Sequence, residues 1–103
     1  MITVRAWSRG GFLQRLESDG HAVKPNTGDS AACAAVSAVL KAFAIVAVDD
    51  FGATGSAPAP GRLEIAMQSA HERAAGAWRL CRATLLEIQQ AYPGQVVVTT
   101  TEE

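Results

Sequence analysis

The apolar run 31–48 is the feature that most constrains how this chain can fold. A run of this length could cross a bilayer, but Lys41 lies just past its middle. A lysine near the centre of a membrane-spanning helix costs about 2.5–3.5 kcal/mol on insertion. We therefore expect a helix packed inside protein rather than lipid. Asp29 or Ser30 would cap its start, and it would end near Asp49–Asp50.

The segments around this run have the patterns of strands. Apolar and polar side chains alternate in 2–7, 12–17 and 62–67, which predicts half-buried strands, the first two forming a hairpin. The Val- and Thr-rich stretch 95–101 predicts a final strand. Glycine, proline, alanine and serine dominate 52–61, which we interpret as a flexible turn.

A second helix is predicted between the last two strands. Ser69 is a suitable N-cap, and Pro93–Gly94 would end the helix. Apolar residues in this segment are alternately four and three positions apart, which predicts one core-facing stripe. The stripe consists of Ala74, Trp78, Cys81, Leu85, Ile88 and Tyr92.

The predicted order of elements is ββαβαβ. It favours a single α+β domain, residues 1–103, built as a two-layer sandwich. A four-stranded mixed or antiparallel sheet would carry both helices on one face. Because the first helix is nearly all apolar, we expect it to be the more buried of the two. The opposite sheet face would carry Trp7 and could form a subunit contact.

Composition excludes several classes of function. A formal net charge of −1 argues against direct nucleic-acid binding, which needs a basic surplus. Two cysteines do not make a disulfide framework, and the first residues have no apolar signal-peptide core, so we expect a cytoplasmic protein. The spacings between histidines and cysteines match no recognised zinc pattern, and we expect no metal or organic cofactor.

His21 and Cys33 are the strongest candidates for catalytic residues. Cys33 falls in the first turn of the predicted helix, where unpaired backbone N–H groups and the helix dipole favour the nucleophilic thiolate. His21 lies 12 residues earlier in a glycine-containing loop and could accept the thiol proton. On composition alone, a structural cysteine and a solvated histidine are the commoner cases.

Other polar residues are weaker candidates. Ser37 and Lys41 share a helical face with Cys33, so Ser37 could hold a substrate group or simply bond back to its own helix. His71 and Cys81 lie 10 residues apart on the second helix, on different sides of it. Cys81 belongs to the core stripe, and we interpret it as structural.

The stretch 20–37 resembles a family signature. Gly20-His21-Ala22 is followed after a short loop by Gly28 and then by Cys33-Ala34-Ala35 with Ser37. This pattern is similar to that of the ribosomal-processing cysteine protease (Prp) family. That family has an aspartate three residues before the cysteine, where this chain has Ser30, and the nearest acid here is Asp29.

The resemblance implies a small homodimeric bacterial endopeptidase of the cytoplasm. Members of the family remove an N-terminal extension from large-subunit ribosomal protein 27. Cys33 would be the nucleophile and His21 the general base. The residues that would bind substrate or support the site are Gly20, Asp29, Ser30 and Ser37. The implied partners are a ribosomal protein precursor and a second copy of the chain, without nucleic acid or membrane.

Two alternatives remain open at this point. The first is a non-catalytic relative that binds ribosomal or other proteins, with Ser30 in the acidic position marking lost activity. The second is a thiol-based redox or ligand-binding module. Alkylation separates them from a protease, which predicts fast labelling of Cys33 that is lost in His21→Ala, with Cys81 inert.

Overall fold

The protein's structure, a computed structural model, describes residues 1–20, 31–59 and 61–103. These residues form two helices and five strands. The helices are α1 (Ala31–Phe51) and α2 (Glu72–Ala91). The strands are β1 (Ile2–Arg9), β2 (Phe12–Asp19), β3 (Thr54–Ser56), β4 (Arg62–Ala66) and β5 (Val96–Glu102).

The sheet is mixed and has the order β3-β4-β2-β1-β5. β1 and β2 form the predicted antiparallel hairpin, with an irregularity between Trp7 and Ser8. β2 also pairs antiparallel with β4, whereas β1 and β5 run parallel. The parallel pair is possible because the chain between β1 and β5 includes both helices, which return it to the starting edge.

The prediction of four strands in the order ββαβαβ is wrong in detail, because β3 lies inside the segment interpreted as a flexible turn. The observed order is ββαββαβ. β3 is a three-residue edge strand, Thr-Gly-Ser, whose residues are all exposed. It is held by antiparallel pairing with β4 and has no apolar alternation. Sequence periodicity therefore carries no signal for it.

The start of α2 also differs from the prediction. His71, not Ser69, occupies the N-cap position, with extended backbone angles and no side-chain capping bond. The hydroxyl of Ser69 lies 2.9 Å from Nε2 of His71. The predicted caps of α1, Asp29 and Ser30, lie outside the described residues, but α1 covers the predicted apolar run and ends at Phe51.

Both helices cover one face of the sheet. Every second residue of β1, from Ile2 to Ser8, is buried, and the residues between them are half-buried. The rings of Phe43 on α1 and Trp78 on α2 meet edge to face, with centroids 5.7 Å apart. Each helix contributes five buried residues, so the expectation that α1 is the more buried helix is wrong.

The side of α1 away from the core is still apolar. Ile45, Val46 and Val48 are exposed large hydrophobic residues. By length and composition α1 could also cross a membrane, although a soluble protein's core helix meets the same criteria. Core packing therefore explains one side of α1 and leaves the other unexplained.

The outer face of the sheet is polar. The guanidinium carbon of Arg15 lies 4.1 Å from the ring centroid of Trp7, so a cation covers the aromatic side chain predicted there. Arg62 on β4 bonds to Glu17 and Asp19 on β2 across the same face. This face offers mainly charged groups to solvent.

Candidate active site

A groove of about 400 Å³ lies between the first half of α1, the end of β2 and the segment that leads into β4. We call it the Cys33 groove. It is lined by Ile2, Ser18, Gly20, Cys33, Val36, Ser37, Leu40, Lys41, Ala57, Ala59, Gly61, Arg62 and Leu63. Three of the residues predicted from the sequence as site residues, Gly20, Cys33 and Ser37, therefore share one open cavity.

Cys33 is the third residue of α1 and is half-buried at the wall of this groove. Backbone N–H groups in the first turn of a helix have no partner within the helix. Such groups can stabilise negative charge on a thiolate or on a carbonyl oxygen nearby. Ser37 is one turn further along and lines the same wall, as the four-residue spacing predicts.

Gly20 joins two parts of the groove. Its N–H donates to the carbonyl oxygen of Gly61 at 3.1 Å, which ties the end of β2 to the segment before β4. Its φ of 98° lies in the region that favours glycine. A Cβ at this position would collide with the carbonyl oxygen of Met1. The chain that continues towards His21 therefore leaves the sheet from a fixed position beside the groove.

Three predicted site residues, His21, Asp29 and Ser30, lie outside the described residues. The pairing of His21 with Cys33 and the supporting roles of Asp29 and Ser30 therefore remain predictions. The segment that contains them runs from Gly20, which lines the groove, to Ala31, which starts the helix of Cys33. One attachment point thus lines the groove, and the other lies two residues before Cys33.

Arg62 is a groove residue that sequence reasoning missed. Its guanidinium contacts the carboxylates of Glu64 at 2.8 Å and of Glu17 and Asp19 at 3.3 Å. The hydrogen bond to Glu64, with the charges of all three carboxylates, raises the pKa of Arg62 despite partial desolvation. These contacts depend on the pairing of β2 with β4, which the sequence alone did not give.

The other cysteine and histidine do not form a second pair. Cys81 is buried in the core, and desolvation raises the pKa of its thiol to about 12. His71 is exposed at the start of α2, with its ring centroid 5.5 Å from that of Phe51. The structural interpretation of Cys81 agrees with this placement.

Metal ligation has no basis in the part of the chain that the structure describes. There, no three histidine, cysteine, aspartate or glutamate side chains cluster closely enough to hold an ion. The prediction of a protein without metal or cofactor is not tested by this observation.

Solved structures share this fold. The structure matches the ribosomal processing protease Prp from S. aureus in complex with a covalently linked product peptide, with a TM-score of 0.83 and 21% identity. That match covers 98% of this chain and all of the other. SMU.848 from Streptococcus mutans matches with a TM-score of 0.81 and 20% identity, over 100% of this chain and 96% of the other.

The family is established by sequence. No curated protein sequence matches this chain significantly. The sequence profile of the family described as Cysteine protease Prp, however, matches residues 1–97, nearly the whole chain. The likeness noted in the stretch 20–37 is therefore confirmed at the level of the family: this chain belongs to the cysteine protease Prp family.

Proposed function

We propose that this protein is a cysteine endopeptidase that uses Cys33 as its nucleophile and His21 as its general base. The observation that carries the proposal is the position of Cys33, in the first turn of α1 and at the wall of an open groove. The protein's membership of a protease family supports the same conclusion. Ser37, Gly20, Asp29 and Ser30 would support the site.

The proposed reaction has two steps. First, Sγ of Cys33 bonds to the carbonyl carbon of the scissile peptide, and His21 takes the thiol proton and passes it to the leaving amine as the C–N bond breaks. N–H groups of the first turn of α1 would stabilise the oxyanion. Second, water attacks the thioester and gives one proton to His21. The C–S bond breaks, the product acid loses its remaining proton to solvent, and the Cys33 thiolate regains a proton from His21.

The proposed substrate is a precursor of large-subunit ribosomal protein 27, from which an N-terminal extension is removed. The support is the likeness to the S. aureus ribosomal processing protease, whose structure has been solved with a substrate peptide. Incubation of a peptide spanning this junction, taken from the same organism, with the wild type and with Cys33→Ala tests the assignment by mass spectrometry. We expect a single cut with the wild type only. An uncut junction peptide would contradict the substrate.

We further propose that the protein acts in the reducing cytoplasm, where a nucleophilic thiol stays reduced. We also propose that it forms a homodimer. An apolar groove of about 280 Å³ between the two helices, which we call the helix groove, offers a contact surface. It is lined by Val39, Ala42, Phe43, Val46, Ala77, Leu80, Cys81 and Thr84. Leu80, in this lining, is 72% exposed. Ile45, which directly precedes the lining residue Val46, is 61% exposed. Burying such residues against a second copy would stabilise a dimer.

One observation favours a second candidate function, a non-catalytic relative that binds ribosomal or other proteins. Ser30 stands where the family signature has an acid. If His21 is no longer positioned to take a proton, Cys33 would lose its enhanced reactivity. Equal and slow alkylation of Cys33 and Cys81, together with binding but no cleavage of the junction peptide, would establish this candidate in place of the protease.

A further inference from the structure

The two cations that line the Cys33 groove differ in their surroundings. Arg62 contacts three carboxylates, Glu17, Asp19 and Glu64, none of which lines the groove itself. Lys41 has no ion pair with any residue that the structure describes, and its side chain is exposed. Within the described lining, Lys41 is therefore the uncompensated charge of the groove.

Helix geometry fixes how far this charge lies from the thiol. Lys41 follows Cys33 by eight residues on α1, which corresponds to about 12 Å along the helix axis. An extended peptide rises about 3.3 Å per residue. A peptide lying along α1 with its scissile bond at Cys33 would therefore place its third or fourth residue from that bond beside Lys41.

The surface between the two residues is uncharged. Val36 and Leu40 lie on the same wall of the groove between Cys33 and Lys41, and Leu63 lines it from β4. A peptide lying along the α1 wall would thus meet the first charge of that wall at Lys41. An acidic side chain there gains Coulomb energy, whereas a basic one is repelled.

Resting on the proposed protease function, we propose that Lys41 is a specificity-determining residue, which favours an acidic side chain and disfavours a basic one at the third or fourth substrate residue from the scissile bond. This assignment concerns one position of the substrate and does not depend on which protein supplies the peptide.

The test uses peptides that span the proposed junction and differ only by Glu, Gln or Lys at the third or fourth residue on either side of the scissile bond. At one of these positions we expect the wild type to cleave the Glu peptide with a kcat/KM roughly fivefold to tenfold above that of the Lys peptide. Because an exposed charge is screened, the preference should shrink to about twofold in 0.5 M NaCl.

Variants assign the preference to Lys41. Lys41→Glu should reverse it, and Lys41→Ala should remove it. The matched control is Arg79→Glu, a charge reversal at an exposed position of α2 that does not line the groove, and it should leave the preference unchanged. No charge preference at any of the four positions, or one that persists in Lys41→Glu, would overturn the role of Lys41.

A binding measurement separates this inference from the proposed function. Wild-type protein that cleaves none of the peptides contradicts the protease function. Fluorescence anisotropy of the same peptides with Cys33→Ala then still tests Lys41, because the charge preference should appear in the dissociation constants. Equal binding of the Glu and Lys peptides at every position would overturn the inference in that case as well.

Discussion

The Cys33 groove and the helix groove each contain a cysteine, and they place it in opposite environments. In the Cys33 groove the thiol is half-buried in the first turn of a helix, and a serine and a lysine of the same helix also line the groove. In the helix groove Cys81 lies in the middle of α2, packed into the hydrophobic core. Desolvation there raises the pKa of Cys81 to about 12.

The two thiols differ in their position on a helix and in their burial. A helix start offers N–H groups without intrahelical partners, whereas the backbone in the middle of a helix is fully bonded. Burial adds to the contrast, since a charged thiolate is costly in apolar surroundings. The first groove is therefore suited to covalent chemistry, and the second to packing against another apolar surface.

The largest expected effect is the difference in kcat between Cys33→Ala and Cys81→Ala. Cys33→Ala should lower the kcat for the junction peptide by at least roughly 10⁴-fold, because the covalent step loses its nucleophile. Cys81→Ala should keep kcat and lower the free energy of unfolding by about 1 kcal/mol, since one buried atom is lost. Steady-state kinetics and urea denaturation measure both. Full activity of Cys33→Ala would refute the proposed nucleophile.

The next effect is a difference in alkylation rate. With a pKa of about 12, only roughly one Cys81 thiol in 10⁴ is ionised at pH 8, and burial also restricts access. Iodoacetamide should therefore label Cys33 at least about 100-fold faster than Cys81, and Cys81 should stay slow up to pH 9. His21→Ala should slow the labelling of Cys33. Peptide mapping by mass spectrometry gives both rates. Equally slow labelling of Cys33 and Cys81 would contradict the catalytic role of Cys33.

Sequence alone could predict the half of the Cys33 groove that α1 supplies. Cys33, Ser37 and Lys41 recur every four residues, so helical geometry is enough to place them on one wall. The opposite wall depends on long-range pairing: Asp19 aligns with Arg62, and Gly20 bonds to Gly61, across some forty residues of chain. No local pattern encodes that register.

The fold was predictable to a similar extent. The sequence pattern located both helices and four of the strands, through an apolar run for α1, a Val- and Thr-rich stretch for β5 and apolar periodicity for the others. It missed β3, which is exposed on all three residues and pairs with β4 at the edge of the sheet. It also overestimated the burial of α1, since an apolar residue need not face the core of its own chain.

A third prediction decides which surface forms the proposed dimer. Leu80→Glu places a charge in the helix groove and should weaken dimerisation at least tenfold, about 1.4 kcal/mol, because the carboxylate would be buried in the interface. Val97→Glu places the same charge on the outer face of the sheet, at a residue 37% exposed, and should leave the dimer intact. Sedimentation equilibrium measures both constants. Dissociation by Val97→Glu alone would assign the dimer to the sheet face that carries Trp7.

The smallest effect compares two hydroxyl groups, one from each groove. Ser37 lines the Cys33 groove one turn after the proposed nucleophile, where a bound peptide would lie. Thr84 lines the helix groove and donates to the carbonyl oxygen of Leu80 at 2.8 Å, within its own helix. Losing one polar contact to substrate costs about 0.5–1.5 kcal/mol, so Ser37→Ala should lower kcat/KM by about twofold to tenfold.

Thr84→Ala is the matched control, because the hydroxyl that it removes bonds to its own helix and lies outside the Cys33 groove. It should leave kcat/KM unchanged. The split between kinetic constants locates the contact of Ser37. A rise in KM at constant kcat would show that Ser37 binds the substrate equally in the ground and transition states, and a fall in kcat would show a contact made only during the reaction. Equal kinetics for Ser37→Ala and wild type would instead restrict Ser37 to packing, and the support of the thiol would then have to come from the segment between Gly20 and Ala31.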